Sequence, residues 1–136
     1  MDYGFAYIIK NGGIDSEADY PYMMKDESCQ TAKEQNIVAK VASFSDVPQN
    51  DEAQLAAAVA KGPVSVAIEA DQAGFQHYSS GTFSGPCGTK LDHGVLVVGY
   101  TEDAWIVKNS WGPTWGDAGY IMMAKGQGAA GICGIA

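Results

Sequence analysis

The chain has 136 residues, 46% of them hydrophobic, and 16 acidic against 8 basic side chains give a formal charge of −8. That composition belongs to a globular domain with a core rather than to a disordered chain. The acidic balance argues against a nucleic-acid partner, which needs a basic face. It also suits work at acidic pH. No apolar run reaches the ~18 residues of a membrane-spanning helix, so no membrane partner is expected. The opening "MDYGFAYIIK" lacks a basic leader and a clean apolar stretch, so it does not read as a secretory signal. Cysteines occur at 29, 87 and 133, an odd count that leaves one without an internal partner. With no C-x-x-C pair and His77 as the only other histidine beside His93, no metal or other cofactor is expected.

Along the chain, residues 2–10 read as a helix. Phe5, Ile8 and Ile9 share one face, and "NGG" at 11–13 supplies the stop. "SEADYPYMMKDES" is polar, contains Pro21, and reads as extended chain and turn. A strand is predicted over 37–44, "IVAKVASF". The next segment predicts a helix capped by Asn50 or Asp51, with Leu55 and Val59 inward and Gly62-Pro63 as the stop. "VSVAIEA", 64–70, is an alternating strand, and 74–92 is Gly- and Ser-rich loop. Strands then follow at 93–100, 104–109 and 119–125, with a last short one near 132–135. The pattern is α+β, with a mostly antiparallel sheet. The helix at 2–10 has too little around it for a core of its own and reads as a piece of another domain.

"KLDHGVLVVGY", 90–100, places His93 at the mouth of an apolar strand. Only "TED", 101–103, separates that strand from the next, which makes a β-hairpin. Folding the chain about residue 102 sets His93 against residues 109–111, so His93 and Asn109 become cross-strand neighbours. An Asn amide oxygen can accept the proton of one imidazole nitrogen, fix the tautomer and aim the other nitrogen outward. A neutral orienter suits a thiolate–imidazolium pair, whereas a serine enzyme more often uses a carboxylate there. Trp111 in "NSWG" can cover this hydrogen bond and exclude water. Each signal has a plainer reading: a capped structural histidine, a turn asparagine, a packed glycine loop. Their joint spacing favours chemistry. His77 reads as structural or surface.

"LDHGVLVVGY" followed by "WIVKNSWGPTWGDAGYIMM" resembles the His and Asn segments of the papain-like cysteine peptidases, most of all the cathepsin L-like branch. "GIDSEADYPY", "GPVSVAIEA" and "GICGIA" fit the same family in the same order, so the resemblance covers essentially the whole chain. It implies a papain-like right-hand domain, an antiparallel β-barrel-like sheet with a short helix, over 15–136, preceded over 1–14 by one helix of the left-hand domain. It implies that His93 is base and acid, Asn109 its orienter, Trp111 the shield, and Trp115 a wall on the leaving-group side. Met1, Ala67 and Leu91 would line the pocket for the second substrate residue (S2), all apolar, favouring a hydrophobic side chain there. Asp92 would accept a backbone hydrogen bond from substrate or hold its loop. Cys87 would pair with Cys133, and Cys29 would be one half of a bridge to the N-terminal domain.

The family nucleophile lies ~130–150 residues before the histidine, whereas 92 residues precede His93, so it is expected roughly 40–60 residues before residue 1. The resemblance therefore implies a C-terminal part of a thiol endopeptidase, inactive alone and truncated at both ends. Its partners would be a peptide or protein substrate, the missing N-terminal cysteine domain, and cystatin-like or propeptide inhibitors, in a lysosomal, vacuolar or secreted setting. The alternatives are a non-catalytic homologue acting as a binding or regulatory module, and a β-barrel domain that pairs with a separately encoded cysteine half.

Overall fold

The computed structural model describes residues 1–136, which divide into two compact units, Met1–Asp46 and Val47–Ala136. In the first, α1 spans Asp2–Asn11 and ends at Gly12, whose left-handed backbone (φ 82°) lets the amides of Gly12 and Gly13 reach the Ile9 and Ile8 carbonyls. Phe5, Ile8 and Ile9 are the better covered apolar positions of this helix, and Phe5 stacks on Phe44 at 5.8 Å. A 3₁₀ turn covers Lys33–Gln35.

The strand expected over 37–44 does not form. Only Ala39 bridges, antiparallel to Ile14, while Ile37, Val38 and Phe44 stay exposed. β-Branched residues favour a strand only where a partner strand completes the ladder, and this unit supplies a single bridging residue.

In the second unit, α2 covers Glu52–Val59. The Asp51 carboxylate, not Asn50, caps it by accepting the Gln54 amide at 2.9 Å, and Leu55 and Val59 are buried. The strands are β1 (Val64–Ile68), β2 (Thr82–Phe83), β3 (His93–Tyr100), β4 (Ala104–Lys108) and β5 (Tyr120–Ala124). They form one five-stranded sheet in the order β1-β3-β4-β5-β2, antiparallel except where β2 runs parallel to β5. The class is therefore α+β. Inward positions of period two, Ile68, Val97, Val107, Ile121 and Met123, build the core with Leu55, Phe75 and Trp105.

Two further segments, both in the second unit, depart from the sequence expectation. The stretch read as pure loop contains β2 and a one-turn helix α3, Ala73–Gln76, closed by the burial of Phe75. The strand expected near 132–135 is instead a 3₁₀ turn at Ile132–Gly134, because Gly131, Cys133 and Gly134 have φ of 67°, 54° and 77°, which no strand can adopt. Cys133 is joined to Cys87.

Candidate active site

The β3–β4 hairpin pairs Leu96 with Lys108 and Val97 with Val107, the register obtained by folding the chain about residue 102. A one-residue shift between Val97 and Gly99 then brings Tyr100 opposite Trp105. The ladder stops at Lys108, so Asn109 follows the last strand residue rather than sitting in it. Its backbone amide donates to the Gly119 carbonyl at 3.0 Å, which fixes the start of the loop. On the other side of β3, His93 pairs directly with Ile68, the end of β1.

This framework brings His93 Nε2 to 2.8 Å from Asn109 Oδ1. Asn109 is 8% exposed. Its Oδ1 also takes the backbone N–H of Ser110 at 2.8 Å. A backbone amide can only donate, so the atom facing it must be the oxygen. The reversed amide would set an NH₂ against an N–H. With the oxygen placed, Nε2 of His93 has to carry a proton, so in the neutral ring Nδ1 is the nitrogen with the lone pair. Asn109 Nδ2 is left buried without a partner. Such a group costs about 1–3 kcal/mol, so the orientation is held at a loss elsewhere on the same side chain.

Trp111 stacks on the His93 ring, centroids 4.9 Å apart at 30°. It meets Trp115 edge-on at 5.2 Å and Phe75 at 5.7 Å, and Phe75 in turn packs against Trp115 at 5.4 Å. The Trp115 indole N–H donates to the Gln76 carbonyl at 2.8 Å, tying this aromatic group to α3. One face of the imidazole is thus covered, while Trp111 itself stays 39% exposed. Phe75 is a member of this cluster that the sequence reading passed over, because its helix is a single turn inside a Gly- and Ser-rich stretch.

The remaining expected positions are spread differently. Leu91 is exposed, and Ala67 is partly covered in β1, opposite Gly94. Asp92 Oδ1 accepts the Ala70 amide at 2.8 Å, and the Asp92 amide donates to the Ile68 carbonyl, which is the loop-holding geometry. Met1 is the exposed N-cap residue of α1, in the first unit. Cys29 is also in that unit. Its thiol donates to Glu34 Oε1 at 2.9 Å, and Tyr7 Oη donates to Oε2 of the same carboxylate at 2.7 Å. The hydrogen bond to Glu34 raises the Cys29 pKa above that of an ordinary thiol, helped by desolvation and the carboxylate charge. That is opposite to what a nucleophile needs. Cys87 and Cys133 are consumed in their disulfide. The site therefore offers an imidazole held by Asn109 and no free thiol of the second unit's own.

A family model for "Papain family cysteine protease" matches residues 1–136. The chain is 56% identical to "Probable cysteine protease RD21B" of Arabidopsis thaliana and 55% identical to "Oryzain beta chain" of Oryza sativa subsp. japonica. In each case all of the chain aligns with 30% of the relative's length. Among solved structures, the bromelain protease from Ananas comosus, in complex with an inhibitor, superimposes with a TM-score of 0.91 at 44% identity, over 99% of this chain and 65% of that one. The ragweed pollen cysteine protease Amb a 11, in its proform, gives 0.93 at 45% identity, over 100% of this chain and 43% of that one. The chain thus spans about a third of the curated relatives it matches, and it belongs to the papain family of cysteine proteases.

Proposed function

We propose that this chain carries the base half of a thiol endopeptidase, with His93 as general base and acid and Asn109 as its orienter. The carrying observation is the Ser110 N–H on Asn109 Oδ1, which leaves that oxygen to hold Nε2–H of His93 and frees Nδ1 for proton transfer. The nucleophile is then a cysteine on a segment outside these 136 residues. Its thiolate adds to the scissile carbonyl. His93, protonated at Nδ1, gives that proton to the leaving amine as the C–N bond breaks, leaving a thioester. Water then attacks the thioester, Nδ1 takes the water proton, and the acid leaves as the thiolate is regenerated. Trp111 keeps the imidazole face dry through both steps, and Trp115 walls the leaving-group side.

Ala67 and Leu91 supply apolar side chains for a hydrophobic residue two positions before the scissile bond. Cys29 is read as half of a bridge to the cysteine-bearing domain. Peptide or protein substrates are the partners. Propeptide and small inhibitors follow by kinship with a proform and an inhibitor-bound relative. The Cys87–Cys133 disulfide supports an oxidising, vacuolar or secreted setting.

Two experiments test this reading. Alone, under reducing acidic conditions, the chain leaves a fluorogenic Phe-Arg peptide uncut; turnover blocked by an epoxide thiol trap contradicts that. Grafted behind the cysteine-bearing portion of RD21B, it restores thiol-dependent cleavage, and His93→Ala abolishes it. A graft that folds but stays inert favours the non-catalytic reading.

A further inference from the structure

We propose that Glu69 is a positioning residue for His93: its buried carboxylate fixes the 88–92 segment, which carries Leu91 and leads directly into His93. The inference rests on reading His93 as the base. Glu69 directly follows Ile68, the β1 residue that pairs with His93. It is 7% exposed. Its Oε1 accepts the Gly88 amide at 2.8 Å, and its Oε2 accepts the Lys90 amide. Gln72 Nε2 lies 3.5 Å from Oε1. The Glu69 amide donates to the Cys133 carbonyl at 2.9 Å, and Cys133 is joined to Cys87, the residue before Gly88. Two further bonds run between Asp92 and residues 68 and 70. Residues 68–70 therefore hold residues 88–92 at both ends and in the middle.

The choice of side chain is informative. A carboxylate without a cationic partner is an expensive thing to bury. The chain's one ion pair is Lys25–Glu27, so no cation partners Glu69. What it offers in return is two acceptor atoms for two backbone donors, which a glutamine cannot match because its second terminal atom is an NH₂. The fit is close: a Cβ on Gly88 would lie 2.8 Å from Oε2 and 3.1 Å from Oε1. With either amide released, residues 88–90 lose one of their anchors and only the Asp92 bonds still hold the approach to His93, so the ring is less firmly set against Asn109. Small displacements of a catalytic group are costly to rate.

Glu69→Gln in the 136-residue chain, with the disulfide intact, is expected to leave far-UV circular dichroism unchanged. It is expected to cut hydrogen-exchange protection of at least one of the Gly88 and Lys90 amides by about tenfold or more, since glutamine keeps a single acceptor oxygen. In the RD21B graft the same change lowers kcat by about tenfold with a smaller effect on KM. Should Glu69→Gln fail to fold, Gly88→Ala strains the same contact from the opposite side, and the same exchange and kcat losses are expected. Unchanged kcat, or a loss confined to KM, overturns the inference. So does unaltered protection at Gly88 and Lys90. His93→Ala in the same graft separates the two ideas. If His93→Ala kills activity while Glu69→Gln leaves kcat intact, only the positioning role fails. If His93→Ala remains active, the base assignment fails, and this inference with it.

Discussion

Asn109→Ala separates orientation from stability. The substitution removes the oxygen that accepts from His93 and from Ser110, both at 2.8 Å. At about 0.5–1.5 kcal/mol net for each, those bonds total about 1–3 kcal/mol. It also removes Nδ2, which is buried without a partner. Relief of that group returns about 1–3 kcal/mol. The two terms nearly cancel, so unfolding by urea should show a loss below about 2 kcal/mol, even though a buried side chain is truncated. Trp105, fully buried, serves as the fluorescence reporter. In the grafted enzyme the same variant should lose about tenfold or more in kcat/KM, because the imidazole is free to change tautomer and to turn. A loss above about 4 kcal/mol would show that Asn109 is mainly a structural anchor. Unchanged kcat/KM would refute the orienting role.

Replacing both Cys87 and Cys133 by Ser opens a loop with a sequence separation of 46. The chain-entropy relation puts the loss at roughly 4 kcal/mol, to be read from the urea midpoint of the oxidised and doubly substituted chains. Asp51→Ala deprives the Gln54 amide of its cap and should lower stability by about 1 kcal/mol, with Asp51→Asn restoring most of it. Cys29 carries a thiol whose pKa is raised by the Glu34 hydrogen bond, so near pH 8 less of it is thiolate than in an unstructured peptide. Alkylation by iodoacetamide should be slower than in that peptide and should speed up in Glu34→Ala. The Glu34 carboxyl itself is held below its ordinary value by the same thiol and by Tyr7. Its stabilising effect is therefore present above the ordinary carboxylate range and fades as pH falls through the lowered value.

Hairpin arithmetic makes the His93–Asn109 meeting readable from the chain, because three residues between two strands leave little freedom of register. The helix α2 is equally plain, since Asp51, Leu55 and Val59 each satisfy a local rule. What stays hidden depends on distant partners. Glu69 looks like the polar end of an alternating strand, and its role comes from amides 19 and 21 residues away. Phe75 owes its one-turn helix to burial against Phe83, Trp111 and Trp115, not to any helical pattern. Residues 37–44 have strand composition, but only Ala39 finds a pairing partner. At the other end, 132–135 has apolar residues in strand-like spacing, and the positive φ of Cys133 and Gly134 turns them into a tight loop instead.

The most direct test of the base assignment is the nitrogen-15 spectrum of the neutral His93 imidazole in this chain. With Ser110 N–H fixing Asn109, the ring should be a single tautomer protonated at Nε2, with a slowly exchanging Nε2–H that is lost in Asn109→Ala. A ring protonated at Nδ1, or a fast mixture of both tautomers, would contradict the account.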